Sequence, residues 1–250
     1  MVAAIAYHEL RALFLSPLAW TLLAAVQLIL GYLFLAQVDT FQRLQPRLAA
    51  QGGSMGVTDV VVGPLLSNAG IVLLLVTPLV TMRLVSGERR AGTLPLLFSA
   101  PLSMTRIVLG KYLGVLAFFG IMLGLLLLMP LSLYAGTTLD GGKLAAGLLG
   151  LALMVASFAA AGLFMSTLTA QPTVAAVATF GLLLLLWILD WTGNLGTGMQ
   201  SVVQYLSLMT HFRDLRQGLV STADLAYYLL FIGTFLALSV RRLDADRLHG

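Results

Sequence analysis

Thr81-Met-Arg-Leu-Val-Ser-Gly-Glu-Arg-Arg-Ala-Gly-Thr-Leu-Pro-Leu-Leu-Phe-Ser-Ala-Pro-Leu-Ser-Met-Thr-Arg-Ile-Val-Leu-Gly-Lys111 joins two long apolar runs of the chain. Gly92 ends what precedes it. Thr93 is suited to N-cap a new helix, and Pro95 is tolerated in that helix's first turn. Leu94, Leu96, Leu97 and Phe98 make the helix apolar. Pro101 stops it by pushing Ala100 out of the α region. Ser103 then stands where it can cap the helix of the next apolar run. The spacing predicts a short apolar helix over 94–99, flanked by Glu88, Arg89, Arg90 and Arg106. An apolar helix in a polar loop needs cover, from lipid or from another protein.

The runs on either side are membrane spans by composition. Hydrophobic residues make up 59% of the chain and charged residues only 10%, with a mean hydropathy of +0.98. A water-facing chain carries about 25% charged residues, so most of this surface faces something apolar. Six stretches are long and apolar enough to cross a bilayer: 18–38, 65–85, 108–134, 144–169, 173–190 and 225–240. Backbone groups in hydrocarbon must be satisfied within each segment, so these are helices. The expected architecture is an all-α membrane bundle, one domain over 1–250. With the N-terminus in the cytoplasm, nine lysines and arginines fall on the cytoplasmic side and five (Arg43, Arg47, Lys143, Arg213, Arg216) on the other. That bias puts both termini inside.

Residues 2–16 lack the basic start of a cleavable leader. They read as an interfacial helix, with Val2, Ala6, Leu10, Leu13 and Phe14 on one face, His8 and Arg11 on the other, and Glu9 flanking the stripe. Ser16-Pro17 breaks it before the first span. The fourth span carries Ala152, Ala156 and Ala160 at every fourth position, with Gly147, Gly150 and Gly162 nearby. Such faces let helices approach closely, within one chain or between two. Pro78 and Pro130 are expected to kink the second and third spans. Before the last span, Tyr205, Leu208, Phe212, Leu215 and Leu219 recur at helical spacing. They predict an amphipathic outer-face segment over about 202–219, with Gly218 as its C-cap and Ser221-Thr-Ala-Asp224 as a capping box opening the sixth span.

No ionisable residue sits near the centre of a span, which argues against proton relays and intramembrane catalysts. There is no cysteine and no HExxH, and His211 has no second ligand near it in sequence, so neither a catalytic nor a metal site is expected. No GxxxxGK[ST] loop occurs either, so ATP hydrolysis would have to come from another chain. No basic run exceeds a pair of residues, and nucleic-acid binding is not expected.

The pattern Met-Arg-x3-Gly-Glu-Arg-Arg-x-Gly-Thr-Leu-x-Leu-Leu-x3-Pro-Leu-Ser-x5-Leu-Gly-Lys over 82–111 resembles the ABC-2 type permeases. Within them it is most similar to the gliding-motility-type permease, and more distantly to the nitrous-oxide-reductase maturation permease. The resemblance implies a permease subunit in the bacterial cytoplasmic membrane, without cofactor of its own. It would be driven by a separate subunit that binds ATP and Mg, and would pair with a second permease copy or paralogue, with room for an extracytoplasmic accessory protein. It places Glu88, Arg89, Arg90, Gly92, Thr93, Leu94, Leu97, Phe98 and Pro101 in the region that couples to the ATP-binding subunit. It places Tyr205, Leu208, Phe212, Leu215 and Leu219 in an outer gate. The family usually has an acidic or polar residue where this chain has Pro95. Two rival readings stand beside it: a membrane scaffold or assembly factor without transport, and an intramembrane enzyme.

Overall fold

The computed structural model describes residues 1–50, 56–94, 103–189 and 207–249, and all regular structure among them is helical. Nine α-helices follow in order: α1 (Val2–Leu15), α2 (Pro17–Ala50), α3 (Gly63–Thr81), α4 (Ser86–Arg90), α5 (Met104–Ser132), α6 (Gly141–Leu168), α7 (Pro172–Ile188), α8 (Leu208–Arg216) and α9 (Thr222–His249). A π-helical turn, Thr58–Val62, leads into α3.

Among the described residues, five helical stretches are long and apolar enough to cross a membrane: Pro17–Pro46, Thr58–Arg90, Met104–Ser132, Gly141–Leu168 and Thr222–Leu248. The run expected as a span over 173–190 is α7, which has 17 residues. At about 1.5 Å per residue it covers roughly 25 Å, short of a hydrocarbon core of about 30 Å. Its expected end, Asp190, lies outside the described residues.

Local chemistry sets the helix ends. Ser16 is extended and separates α1 from α2, and the Trp20 indole N–H donates to the Phe14 carbonyl at 2.9 Å across the break. Asp140 caps α6 by accepting from Gly142 and Lys143 N–H at 3.0 and 3.1 Å. Ser103 occupies the N-cap position of α5, but its hydroxyl makes no cap bond. Pro78 and Pro130 both lie inside continuous helices, near the ends of α3 and α5.

α6 is the hub, packed against α3, α5, α7, α8 and α9. Its small residues make this possible within the one chain. A Cβ on Gly162 would collide with the Thr81 side chain, whose own Cβ would be 2.8 Å away. On Gly147 it would meet Leu66 Cδ1 at 2.6 Å, and on Gly150 Leu215 Cβ at 2.9 Å. Ala159, Ala160 and Ala161 are buried with them, whereas Ala152 is exposed. The outer surface is apolar, as lipid-facing helices require: Leu28, Tyr32, Val177, Leu229 and Leu230 all stand exposed.

Gly162→Ala should therefore overpack the α3–α6 contact and destabilise the fold by ~1–3 kcal/mol. Gly120→Ala, where nothing lies within 4 Å of the new Cβ, should be neutral or slightly stabilising. Thermal unfolding of the two variants in detergent checks this, and equal melting temperatures would contradict the packing.

Candidate functional site

The chain leaves α3 through a turn over 82–85 and re-enters a helix at α4. A helix start exposes backbone N–H groups that need acceptors. Here a residue far away in sequence supplies one: Ser166 Oγ, near the end of α6, accepts from the N–H groups of Val85 and Ser86 at 3.1 and 3.0 Å. Its own O–H donates to the Met82 carbonyl at 3.1 Å. One buried hydroxyl thus fastens the α3–α4 elbow to α6. At the other end of α4, Gly92 has φ +70°. The Thr93 N–H donates to the Glu88 carbonyl at 3.0 Å and the Gly92 N–H to the Arg89 carbonyl at 3.3 Å. These two bonds are a Schellman closure, which needs the left-handed residue that glycine provides.

Between those two fastenings, α4 projects its charged side chains in opposite directions. Glu88 turns toward α5, where Lys111 donates to Glu88 Oε1 at 2.7 Å and to Glu9 Oε2 at 3.1 Å. The Lys111 side chain is only 4% exposed. Glu9 reaches it because α1 lies directly on α5: a Cβ on Gly110 would fall 2.6 Å from Ile5 Cβ, and one on Gly114 2.9 Å from the Ala6 carbonyl oxygen. Arg89 points the other way, donating to the Thr167 carbonyl at 3.0 Å and pairing with Asp246 of α9. Arg90 is exposed. Four elements that are distant in sequence therefore meet at α4, and the N-terminal helix and the end of α9 lie at the same end of the bundle.

The opposite end is built around α8. Ser207 caps it by accepting from the Met209 N–H at 3.3 Å, and Gly218, with φ +87°, closes it in a second Schellman arrangement. Leu208, Phe212 and Leu215 are buried, the last two against Gly150 of α6. The expected stripe therefore packs into the bundle, and its last member does not belong to it. Leu219 follows Gly218 and stands 61% exposed. The capping box closes only by half. Ser221 Oγ accepts from the Ala223 N–H at 3.2 Å, but Asp224 turns away to accept from His211 Nδ1 at 2.6 Å. The imidazole is buried and stacks on Tyr227 at 4.2 Å. A buried histidine competes for a carboxylate more strongly than a solvated backbone N–H does. The Tyr228 hydroxyl donates to the Leu208 carbonyl at 2.8 Å, and Arg216 Nη1 donates to Ser67 Oγ at 2.9 Å.

Of the residues expected to couple to a partner, the structure places Glu88, Arg89, Gly92 and Thr93 in one small motif and buries Leu94 within its own chain. Leu97, Phe98 and Pro101 lie outside the described residues, as does Tyr205. Ser166 and Asp246 complete the site but carried no motif of their own, and so does Lys111, which closes the quoted pattern over 82–111 without having been expected to act. Among the described residues, no three His, Cys, Asp or Glu side chains gather as metal ligands. Compared with known proteins, residues 3–246 match the family model described as ABC-2 family transporter protein. No curated protein matches the chain.

Removing the amine from this centre should be costly, because two carboxylates would be left facing each other. Lys111→Met should destabilise the fold by ~3–5 kcal/mol. Adding Glu9→Gln and Glu88→Gln to it should recover most of that loss. Denaturation midpoints of the single and triple variants test the pairing, and a triple variant no more stable than the single one would refute it.

Proposed function

This chain belongs to the ABC-2 transporter family and is a membrane permease subunit of an ABC transporter, and from that premise we propose that the Lys111 centre is its coupling station. A permease of this family works with an ABC ATP-binding subunit. In this reading that partner binds ATP and Mg and docks on the segment after Gly92, with Leu97, Phe98 and Pro101 at the contact. The observation that carries the reading is the convergence on α4: Glu88 is tied to α1 and α5 through Lys111, and Arg89 to the ends of α6 and α9. A push on the loop would reach four long helices at once.

We further propose that α7 crosses the membrane as a sixth span and that α1 lies on the cytoplasmic leaflet. Both termini are then cytoplasmic in the bacterial inner membrane, and α8 sits at the outer face as the gate. Support comes from the grouping of Glu9, Glu88, Lys111 and Asp246 at one end and Asp59, Lys143 and Arg216 at the other. One such bundle is half of a path, so a second permease copy or paralogue completes it. The gliding-motility-type subtype, export or force transmission, and an extracytoplasmic accessory protein belong to the same proposal.

Two experiments test it. With the chain co-expressed beside its ATP-binding subunit, Leu97→Asp and Phe98→Asp should each cut permease-stimulated ATP hydrolysis by roughly tenfold, equivalent to about 1.4 kcal/mol, while the permease still inserts. Unchanged assembly and stimulation in both variants would sink the coupling role. For the topology, the cysteine-free background is convenient. Gln45→Cys and Thr138→Cys should react with an impermeant thiol reagent on intact cells, and Arg90→Cys should not. Labelling of Arg90→Cys from outside would invert the sidedness.

A further inference from the structure

A cavity of about 190 Å³ lies at the α4 end of the bundle, where the α1–α2 elbow meets α3 and α5. Leu22, Leu79 and Phe118 line it with apolar surface, and Glu9, Ser16 and Arg83 supply its polar groups. One carboxylate and one guanidinium thus border the same space without pairing with each other. Glu9 Oε2 accepts from Lys111 at 3.1 Å, and among the described residues its Oε1 accepts no hydrogen bond. Ser16 Oγ accepts from the Leu18 N–H at 3.4 Å. Arg83 is exposed in the turn after α3 and makes no hydrogen bond or ion pair among the described residues.

The charges around this cavity do not close on themselves. Glu9 and Glu88 share the single ammonium of Lys111, which leaves one negative charge over. Glu88 Oε2 is buried without a partner. Arg83 brings the matching positive charge from α3. An occupant that answers both carries an ammonium and an anion close together on an apolar body, and phosphatidylethanolamine has that form. Its phosphate presents paired oxygens to a guanidinium. Its –NH3⁺ offers a carboxylate three N–H donors, as lysine does. Phosphatidylcholine carries the same charges with no N–H donor, and phosphatidylglycerol carries no cation. The apolar wall also continues toward the bilayer centre. Leu75 and Leu79 are 50% and 40% exposed, and Leu75, Leu79 and Arg83 follow one another at steps of four. At about 1.5 Å per residue the three cover roughly 12 Å, most of one leaflet's half of a ~30 Å hydrocarbon core. Tyr7 and Trp20, exposed before and after the elbow, are the residue types that sit at head-group level.

We propose that this cavity binds the head group of one phosphatidylethanolamine, with its phosphate on Arg83, its ammonium on Glu9 Oε1 and an acyl chain along Leu79 and Leu75. The site requires only that the bundle stand in a membrane. It rests on neither the sidedness nor the coupling role proposed above, so its failure would leave both untouched.

The test uses the full chain with its ATP-binding subunit in nanodiscs of phosphatidylcholine doped with phosphatidylethanolamine or its mono- and dimethylated forms, and native mass spectrometry of the lipid retained on release. Phosphatidylethanolamine should be retained roughly tenfold over phosphatidylcholine, and retention should fall with each N–H donor replaced by methyl. Arg83→Gln, which removes the guanidinium, and Leu79→Trp, which fills the cavity, should each abolish that preference. Arg83 has no partner to lose among the described residues, so its replacement should leave the melting temperature unchanged. Arg83→Lys should keep part of the preference. Arg43→Gln, at an exposed arginine paired with Asp39 on α2, should leave it intact. Four results would overturn the proposal. The first is equal retention of the two lipids by the unmodified protein, as a second copy of the chain seated over the cavity would give. The second is a preference that survives both Arg83→Gln and Leu79→Trp. The third is retention that does not change with methylation. The fourth is equal competition by soluble glycerophosphoethanolamine, which would mean a head-group site without a lipid.

Discussion

A lysine removed from water needs a counter-charge close by, and that requirement organises the α4 end of this bundle. Lys111 lies about two turns into α5 and is almost wholly covered. Desolvating an ammonium costs several kcal/mol, offset only where hydrogen-bonded carboxylates surround it. Its two carboxylates come from separate elements, Glu9 on α1 and Glu88 on α4. If either element leaves, the buried cation keeps only one of its two carboxylates. The lysine alone could not have drawn α1 in. Gly110 and Gly114 let the α1 backbone come within contact distance of α5, and only then does the Glu9 side chain reach Lys111. Close approach by glycine and retention by charge are two halves of one device.

The α8 end solves its problem differently. α8 is a short helix, and a short helix has little stability of its own. It is held by apolar burial of Phe212 and Leu215 on the glycine face of α6 and by three polar ties: His211 to Asp224, Tyr228 to the Leu208 carbonyl, and Arg216 to Ser67. Two of these ties join α8 to α9, and the third joins it to α3. α6 links the two ends, since the helix that carries Ser166 at the α3–α4 elbow also carries Gly150 beneath α8.

Features that depend on neighbours in sequence were legible before the structure. The break at Ser16-Pro17, the stops at Gly92 and Gly218, and the apolar runs all follow from local rules, and α1, α4 and α8 end at or just before those residues. The small-residue face of α6 was visible as a close-packing face, but a sequence does not say which helix approaches it. What local rules missed are pairings across the fold. Asp224 fits a capping box in sequence, yet His211 takes it. Ser166 looked like any polar residue at the end of a span, and Asp246 like any charge in a terminal stretch. Leu219 matched a helical period that ends at Arg216, with Gly218 turning the chain away before it. The length of α7 shows another limit: hydropathy finds an apolar run but not where its last turn ends.

The strength of the ties around α4 constrains how they can take part in coupling. Shifting a two-state equilibrium from 1:99 to 99:1 takes about 5.5 kcal/mol of differential binding. Parting one member of a buried ion pair costs ~3–5 kcal/mol, so opening the Lys111 centre in each cycle would consume most of what a partner's differential binding can supply. The lower-cost motion keeps Glu9, Glu88 and Lys111 together. On the proposed coupling, α1, α4 and the first turns of α5 then move as one body. The strain falls on the weaker links around it, namely the Arg89 contact with the Thr167 carbonyl and the Ser166 bonds at the elbow. Those links all end on the last turn of α6. A displacement at α4 is therefore delivered to the one helix that also carries α8, while the Arg89–Asp246 pair passes it directly to α9.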